Sequence, residues 1–211
     1  MSILNAWVGG DRAWVAVDTE GVHHGDGATF ECQKMVPLVH QAAILASRGT
    51  AVFLPAVFFN VATCLFNFDD LVQQMPVILR HAFDESCRSA EAAGIEIAKD
   101  FDKEVIVLVG WSNWHQQMVA IEYIQHDRSI GFAAQTVGPA YYSPWIEGMQ
   151  APPFADPFDR TAMVRLAKMQ VGLIEDRTPG AAGGGRYIVA ELGRQRMTIE
   201  TVCEDLGRRH R

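Results

Sequence analysis

Ser2-Ile3-Leu4-Asn5-Ala6-Trp7-Val8-Gly9-Gly10-Asp11-Arg12-Ala13-Trp14-Val15-Ala16-Val17-Asp18 decides how this chain folds, with Lys34 following downstream. Ile3 to Val8 is a short apolar, β-prone run, and Ala13 to Val17 is a second. Between them, Gly9-Gly10-Asp11 offers the positive φ angles of a tight turn, so the two runs read as a hairpin. A three-residue loop would set Ser2 opposite Asp18, and a two-residue loop would shift the pairing by one position. Either register brings the chain's start and this carboxylate within cross-strand reach.

Working outward, Glu20 to Thr29 reads as a surface loop with three glycines and two histidines. Met35 to Leu38 and Ala42 to Ala46 read as strands, the second running into the turn Ser47-Arg48-Gly49-Thr50. Ala51 to Phe68 reads as a buried helix. Leu71, Met75, Ile78, Leu79, Ala82 and Phe83 recur at helical intervals and predict a second helix, capped by Asp69, ended near Gly94, and kinked or split by Pro76. Val105 to Val109, Met118 to Ile124 and Ile130 to Val137 stand at hairpin spacing and predict an antiparallel meander. Pro139 to Asp156 reads as loop. Asp159 or Thr161 starts a helix with the apolar face Met163, Val164, Leu166, Ala167, Val171 and Ile174. Tyr187 to Leu192 is a strand, and Thr198 to Leu206 is a short helix or a last strand. Helices arriving in blocks between antiparallel strands predict an α+β layered arrangement, two packed sheets with helices outside, as one domain over residues 1–211.

An N-terminal serine is a catalytic unit in itself. Its hydroxyl attacks a carbonyl, and its α-amine, with an unperturbed pKa of about 7.7–8.0, accepts the proton near neutrality. A lysine nearby lowers that pKa further, and an aspartate holds the lysine. Ser2, Lys34 and Asp18 fit these three parts, on the condition that Met1 is removed. Gly49, on a turn after a buried strand, suits the backbone N–H donor an oxyanion needs.

The spacing of Ser2, Asp18 and Lys34, the motif Trp14-Val15-Ala16-Val17-Asp18-Thr19 and the Ser47-Arg48-Gly49-Thr50 turn resemble proteasome β-subunits and the related bacterial proteasome-like peptidases. Val105-Ile106-Val107-Leu108-Val109-Gly110-Trp111 and Glu175-Asp176-Arg177-Thr178-Pro179-Gly180 extend the resemblance, the latter resembling the loop that carries a supporting aspartate, here Asp176. The resemblance implies an N-terminal-nucleophile hydrolase fold, a four-layer αββα sandwich. It also implies hydrolysis of peptide or amide bonds, assembly into a homo-oligomeric ring, and an ATP-dependent unfoldase as partner. The chain departs from the family in having serine for the usual threonine nucleophile. It also has Pro139-Ala140 and Pro179 where the family places supporting serines. Two other readings stay open: a catalytically silent structural or assembly protein of the same fold, and an amidase acting on a small molecule.

Composition narrows the field. A net charge of −7 and a pI near 5.4 argue against a nucleic-acid binder held by phosphate contacts. Cys32, Cys64, Cys87 and Cys203 are widely spaced, without C-x-x-C, which predicts neither a zinc site nor a disulfide framework and suits the cytoplasm. Ala51 to Leu65, the longest apolar stretch, is short of the roughly 20 residues a bilayer needs and is broken by Pro55 and Asn60, so no membrane partner is expected. His23-His24 with Asp26 lacks a ligand from a second element, Ala181-Ala182-Gly183-Gly184-Gly185 lacks the Gly-Lys-Ser/Thr of a phosphate loop, and neither a metal nor another cofactor is expected. Trp111, Trp114 and His115 cluster around a strand turn and read as packing or a subunit contact ahead of a groove lining, and the segment Tyr141-Tyr142-Ser143-Pro144-Trp145 reads as a candidate oligomer contact.

Overall fold

The computed structural model describes residues 2–23, 27–94, 104–125, 131–145, 149, 159–178 and 183–207. The opening hairpin is β1 (Leu4–Val8) and β2 (Arg12–Asp18). β3 (Glu20–Val22) and β4 (Thr29–Glu31) form a small hairpin of their own, where the sequence reads as loop. No apolar alternation announces these three-residue strands. The ring of Phe30 lies over Gly21, where a Cβ would collide with it, and packs against His23. β5 (Met35–Leu38) and β6 (Ala43–Arg48) follow as expected.

The region expected as one helix from Ala51 to Phe68 is α1 (Phe53–Ala62), followed by a connection to α2 (Phe68–Ala92). Asn67, not Asp69, caps α2, its side-chain oxygen accepting the Asp70 N–H. Gly94, at φ +69°, lies just past the end of α2, in the left-handed conformation that stops a helix. Pro76 does not split α2. Proline has no N–H for the carbonyl of Val72, four residues back, and the buried Tyr123 hydroxyl donates to that carbonyl instead (3.0 Å).

β7 (Val105–Ser112), β8 (Gln117–Gln125) and β9 (Phe132–Thr136) are the predicted meander. β10 (Ala140–Ser143), inside the stretch expected to be loop, pairs with β1. Asp159 caps α3 (Arg160–Arg177) through the Thr161 and Ala162 N–H groups. β11 (Tyr187–Gly193) and β12 (Arg196–Cys203) close the chain, so the last element is a strand.

Two five-stranded antiparallel sheets result, ordered β10-β1-β2-β11-β12 and β5-β6-β7-β8-β9. Side-chain alternation makes each sheet two-faced. Leu4, Ala6, Val15 and Val17 of the first meet Ile44, Ala46, Val107 and Val109 of the second in the inter-sheet core. The opposite face of the second sheet, with Leu45, Leu108 and Tyr123, packs on α1 and α2 through Phe53, Leu71, Leu79 and Phe83. The opposite face of the first, with Trp7, Trp14 and Val189, packs on α3 through Met163, Leu166 and Val171. Helices, sheet, sheet and helix are therefore stacked in the four layers expected from the sequence. No helix among the described residues is long and apolar enough to cross a membrane.

Candidate functional site

The register of the first hairpin places the site. Val8 pairs with Ala13 and Leu4 with Val17, so the turn has the two-residue length, and Ile3 rather than Ser2 comes level with Asp18. Gly9 N–H closes that turn on the Arg12 carbonyl (2.8 Å). Ser2 follows the same alternation as Leu4 and Ala6 and is 6% exposed.

Asp18, the last residue of β2, is fully buried. One carboxylate oxygen accepts the Ile3 N–H (2.8 Å), and the other accepts Lys34 Nζ (2.8 Å) and the Gly184 N–H (3.1 Å). Lys34, just before β5, also donates to the Glu20 carbonyl, and its own carbonyl takes the Ser47 N–H (2.9 Å). The ammonium is thus fixed at the junction of β2, β3, β5 and β6. A buried carboxylate and a buried ammonium tolerate burial only when paired and hydrogen-bonded, and both are.

Gly49 follows β6 at φ +143°, a conformation that favours glycine, and is exposed. A Cβ at this position would run into the Glu104 carboxylate. Thr50 N–H donates to Glu104 Oε1 (2.8 Å). Asp176 stands exposed in the last turn of α3, and the hydrogen bonds of Asp18 and Lys34 go to the partners named above rather than to it. Of the residues singled out from the sequence, the structure joins Asp18 and Lys34 directly. Ser2 is held one residue from the Asp18 contact, and Gly49 two residues beyond the one bonded to Lys34.

Several contributors carry no catalytic signal in the sequence. Gly184 reaches Asp18 from the glycine-rich loop, and Gly185, at φ +68°, leaves room for Thr19 Oγ1, which accepts the Arg186 N–H (3.0 Å). Arg48 Nη1 donates to Ser143 Oγ (3.1 Å), and Ser143 is level with Leu4 across the β1–β10 pair. Burial lowers the Arg48 pKa, opposed by Tyr141, Glu122 and Asp18. Glu122 accepts the Tyr141 hydroxyl (2.5 Å) and the Gln135 amide. A polar cluster of Arg48, Ser143, Tyr141, Glu122 and Gln135 therefore bridges β6, β10, β8 and β9. A single acid in the apolar alternation of Met118 to Ile124 was the signal available for it.

A cavity of about 380 Å³ opens beside the ion pair, lined by Thr19, Cys32, Lys34, Met35, Arg186 and Ile188 among others. Burial pushes the Cys32 thiol pKa up. His24 and Asp26 lie outside the described residues, as does Pro179; the His23 ring packs on Phe30. Among the described residues, no group of three His, Cys, Asp or Glu side chains is arranged to hold a metal. Trp114 is exposed at the β7–β8 turn. That turn is tied down by Asp69, which accepts Ser112 Oγ (2.6 Å) and the Asn113 N–H (2.8 Å).

No protein-family profile and no curated protein matches the sequence. Among solved structures, the chain is similar to Anbu, an ancestral β-subunit, from Yersinia bercovieri, with a TM-score of 0.61 at 9% identity over 97% of this chain and 87% of that one. It is also similar to a Gly-1 mutant of Anbu from Hyphomicrobium sp. strain MC1, with a TM-score of 0.59 at 10% identity over 96% and 88%. At such identity the likeness is one of backbone course. The chain has a proteasome-like fold.

Proposed function

We propose that the proteasome-like chain is an N-terminal-serine hydrolase that cleaves peptide or amide bonds within a homo-oligomeric ring. One observation carries this reading. A single buried carboxylate grips both the peptide next to Ser2, through the Ile3 N–H, and the Lys34 ammonium. The nucleophile's backbone and the cation that would tune its amine are thereby fixed to one group.

Removal of Met1 frees the Ser2 amine. Ser2 Oγ then attacks the substrate carbonyl carbon while the amine takes the hydroxyl proton. The tetrahedral oxyanion is met by the Gly49 N–H, and collapse expels the amine leaving group with that proton, leaving an ester on Ser2. Water, deprotonated by the same amine, hydrolyses the ester. Lys34 keeps the amine in its free-base form near neutrality, and Asp18 keeps Lys34 in place. The cavity beside Lys34 is the place for a substrate side chain. Ring assembly and an unfoldase partner follow from the family resemblance, a cytoplasmic setting follows from the spacing of the four cysteines, and the role of Asp176 is that of an outlying support.

Fluorogenic peptide amides test the reading. Turnover by the chain lacking Met1, lost in Ser2→Ala and in Lys34→Ala, supports it. Sedimentation at micromolar concentration tests the ring, and a monomer that turns over substrate would favour a small-molecule amidase. The 6% exposure of Ser2 favours a second reading, a silent assembly protein. Ring formation by a chain that retains Met1 and cleaves nothing would support that one.

A further inference from the structure

Glu104 stands immediately before β7, on the face of the second sheet that looks toward α1 and α2, and is fully buried. One oxygen, Oε1, accepts the Thr50 N–H; the other, Oε2, is buried and makes no hydrogen bond among the described residues. Gln125 N–H donates to the Glu104 carbonyl (3.1 Å), which makes the two residues cross-strand neighbours, and both polar atoms of the Gln125 side chain are likewise buried without a partner. Natural proteins leave few such atoms unsatisfied, and those they leave call for a reason. The carboxylate also fills the space a side chain at position 49 would need.

We propose that Glu104 is a positioning residue: its carboxyl clamps the Gly49–Thr50 turn, and with it the N–H that would meet the oxyanion, against the end of the second sheet. The inference rests on the hydrolase reading for the role of that N–H, but the clamp stands on the geometry. A neutral carboxyl suits the surroundings: Oε1 keeps the Thr50 N–H, and the cross-strand neighbour Gln125 is an uncharged residue whose own side-chain polar atoms are buried without a partner. No charged group among the described residues acts on it. Gln125 faces it from β8 and Thr50 from the turn, Phe53 and Phe132 cover the same face from α1 and β9, and Arg48 points to the opposite face from β6. Burial pushes its pKa up to about 7, opposed by the Thr50 hydrogen bonds. Ionisation without a countercharge draws water into the cluster and loosens the turn.

The experiment uses the chain selectively labelled with 15N-glycine and 15N-threonine, in wild type and in Glu104→Gln, which keeps the acceptor for Thr50 and cannot ionise. The Gly49 and Thr50 amide resonances should shift together with a midpoint near pH 7 in wild type and stay still in Glu104→Gln. Amides that do not titrate between about pH 5 and 9, or that titrate equally in the variant, overturn the clamp. In turnover, a group of pKa about 7 needed in its neutral form costs wild type about a fivefold fall in kcat between pH 7 and 8, absent in Glu104→Gln. Identical profiles in an active enzyme overturn the positioning role. Titrating amides in a chain without turnover sink the hydrolase reading alone, and the clamp survives.

Discussion

Removing Lys34 from under Asp18 should cost this chain a sizeable part of its stability. The pair is buried on both sides, with 7% and 0% of the side chains exposed, and closes at 2.8 Å. Breaking a buried pair by deleting one partner costs about 3–5 kcal/mol, because the remaining charge is left in a poor medium. Lys34→Met keeps the aliphatic volume and loses only the ammonium, so about 3 kcal/mol is expected. Asp18→Ala should cost more, since the Ile3 and Gly184 N–H groups lose their acceptor along with Lys34, each adding about 1–3 kcal/mol. Against a total stability of about 5–15 kcal/mol, Asp18→Ala brings the fold close to its limit. The double variant should cost about 2–3 kcal/mol less than the sum, because neither charge is then left alone. Urea unfolding followed by the fluorescence of the buried Trp7 and Trp14 reads all four chains. Strict additivity, or a Lys34→Met cost below about 1 kcal/mol, would refute the claim that these two residues act as one buried unit.

Gly49→Ala should destabilise by more than the roughly 1–3 kcal/mol of a strained backbone alone, since its methyl group also meets the Glu104 carboxylate; thermal melts check this. Tyr123→Phe should cost about 1–3 kcal/mol by leaving the Val72 carbonyl unpaired across from Pro76, and hydrogen exchange in α2 should rise around residues 72–76. Glu104, with a folded pKa raised from 4.5 to about 7, stays protonated where the unfolded chain has ionised. Its contribution to stability therefore falls by about 3 kcal/mol as pH rises from about 4.5 to 7, and then levels. Urea titrations across that range should show this slope in wild type and its loss in Glu104→Gln; an unchanged slope would contradict the assignment.

The parts of the fold legible in the sequence are those whose signal is local. The Gly9-Gly10-Asp11 turn between two apolar runs gave away the hairpin, and the hairpin aligned Asp18 with the chain's start to within one residue. The meander from Val105 to Thr136 was legible from its spacing. What was hidden depended on distant partners. β10 sits among prolines and half-exposed tyrosines and is a strand because β1 offers an edge. α2 runs through Pro76 because Tyr123 replaces the lost donor. Asp69 has the look of a cap and is a buried tie for the β7–β8 turn. The same holds at the site. Spacing and family resemblance pointed to Asp18 and Lys34, whereas Gly184 and Glu104 arrive from segments whose sequence signalled only a loop and a charged lead-in.

Intact mass spectrometry after exposure to a β-lactone tests the central claim most directly. The account predicts a chain without Met1 carrying one acyl group, mapped to the Ser2 hydroxyl and absent in Ser2→Ala and Lys34→Met. A folded chain that keeps Met1 and takes up no acyl group would contradict it.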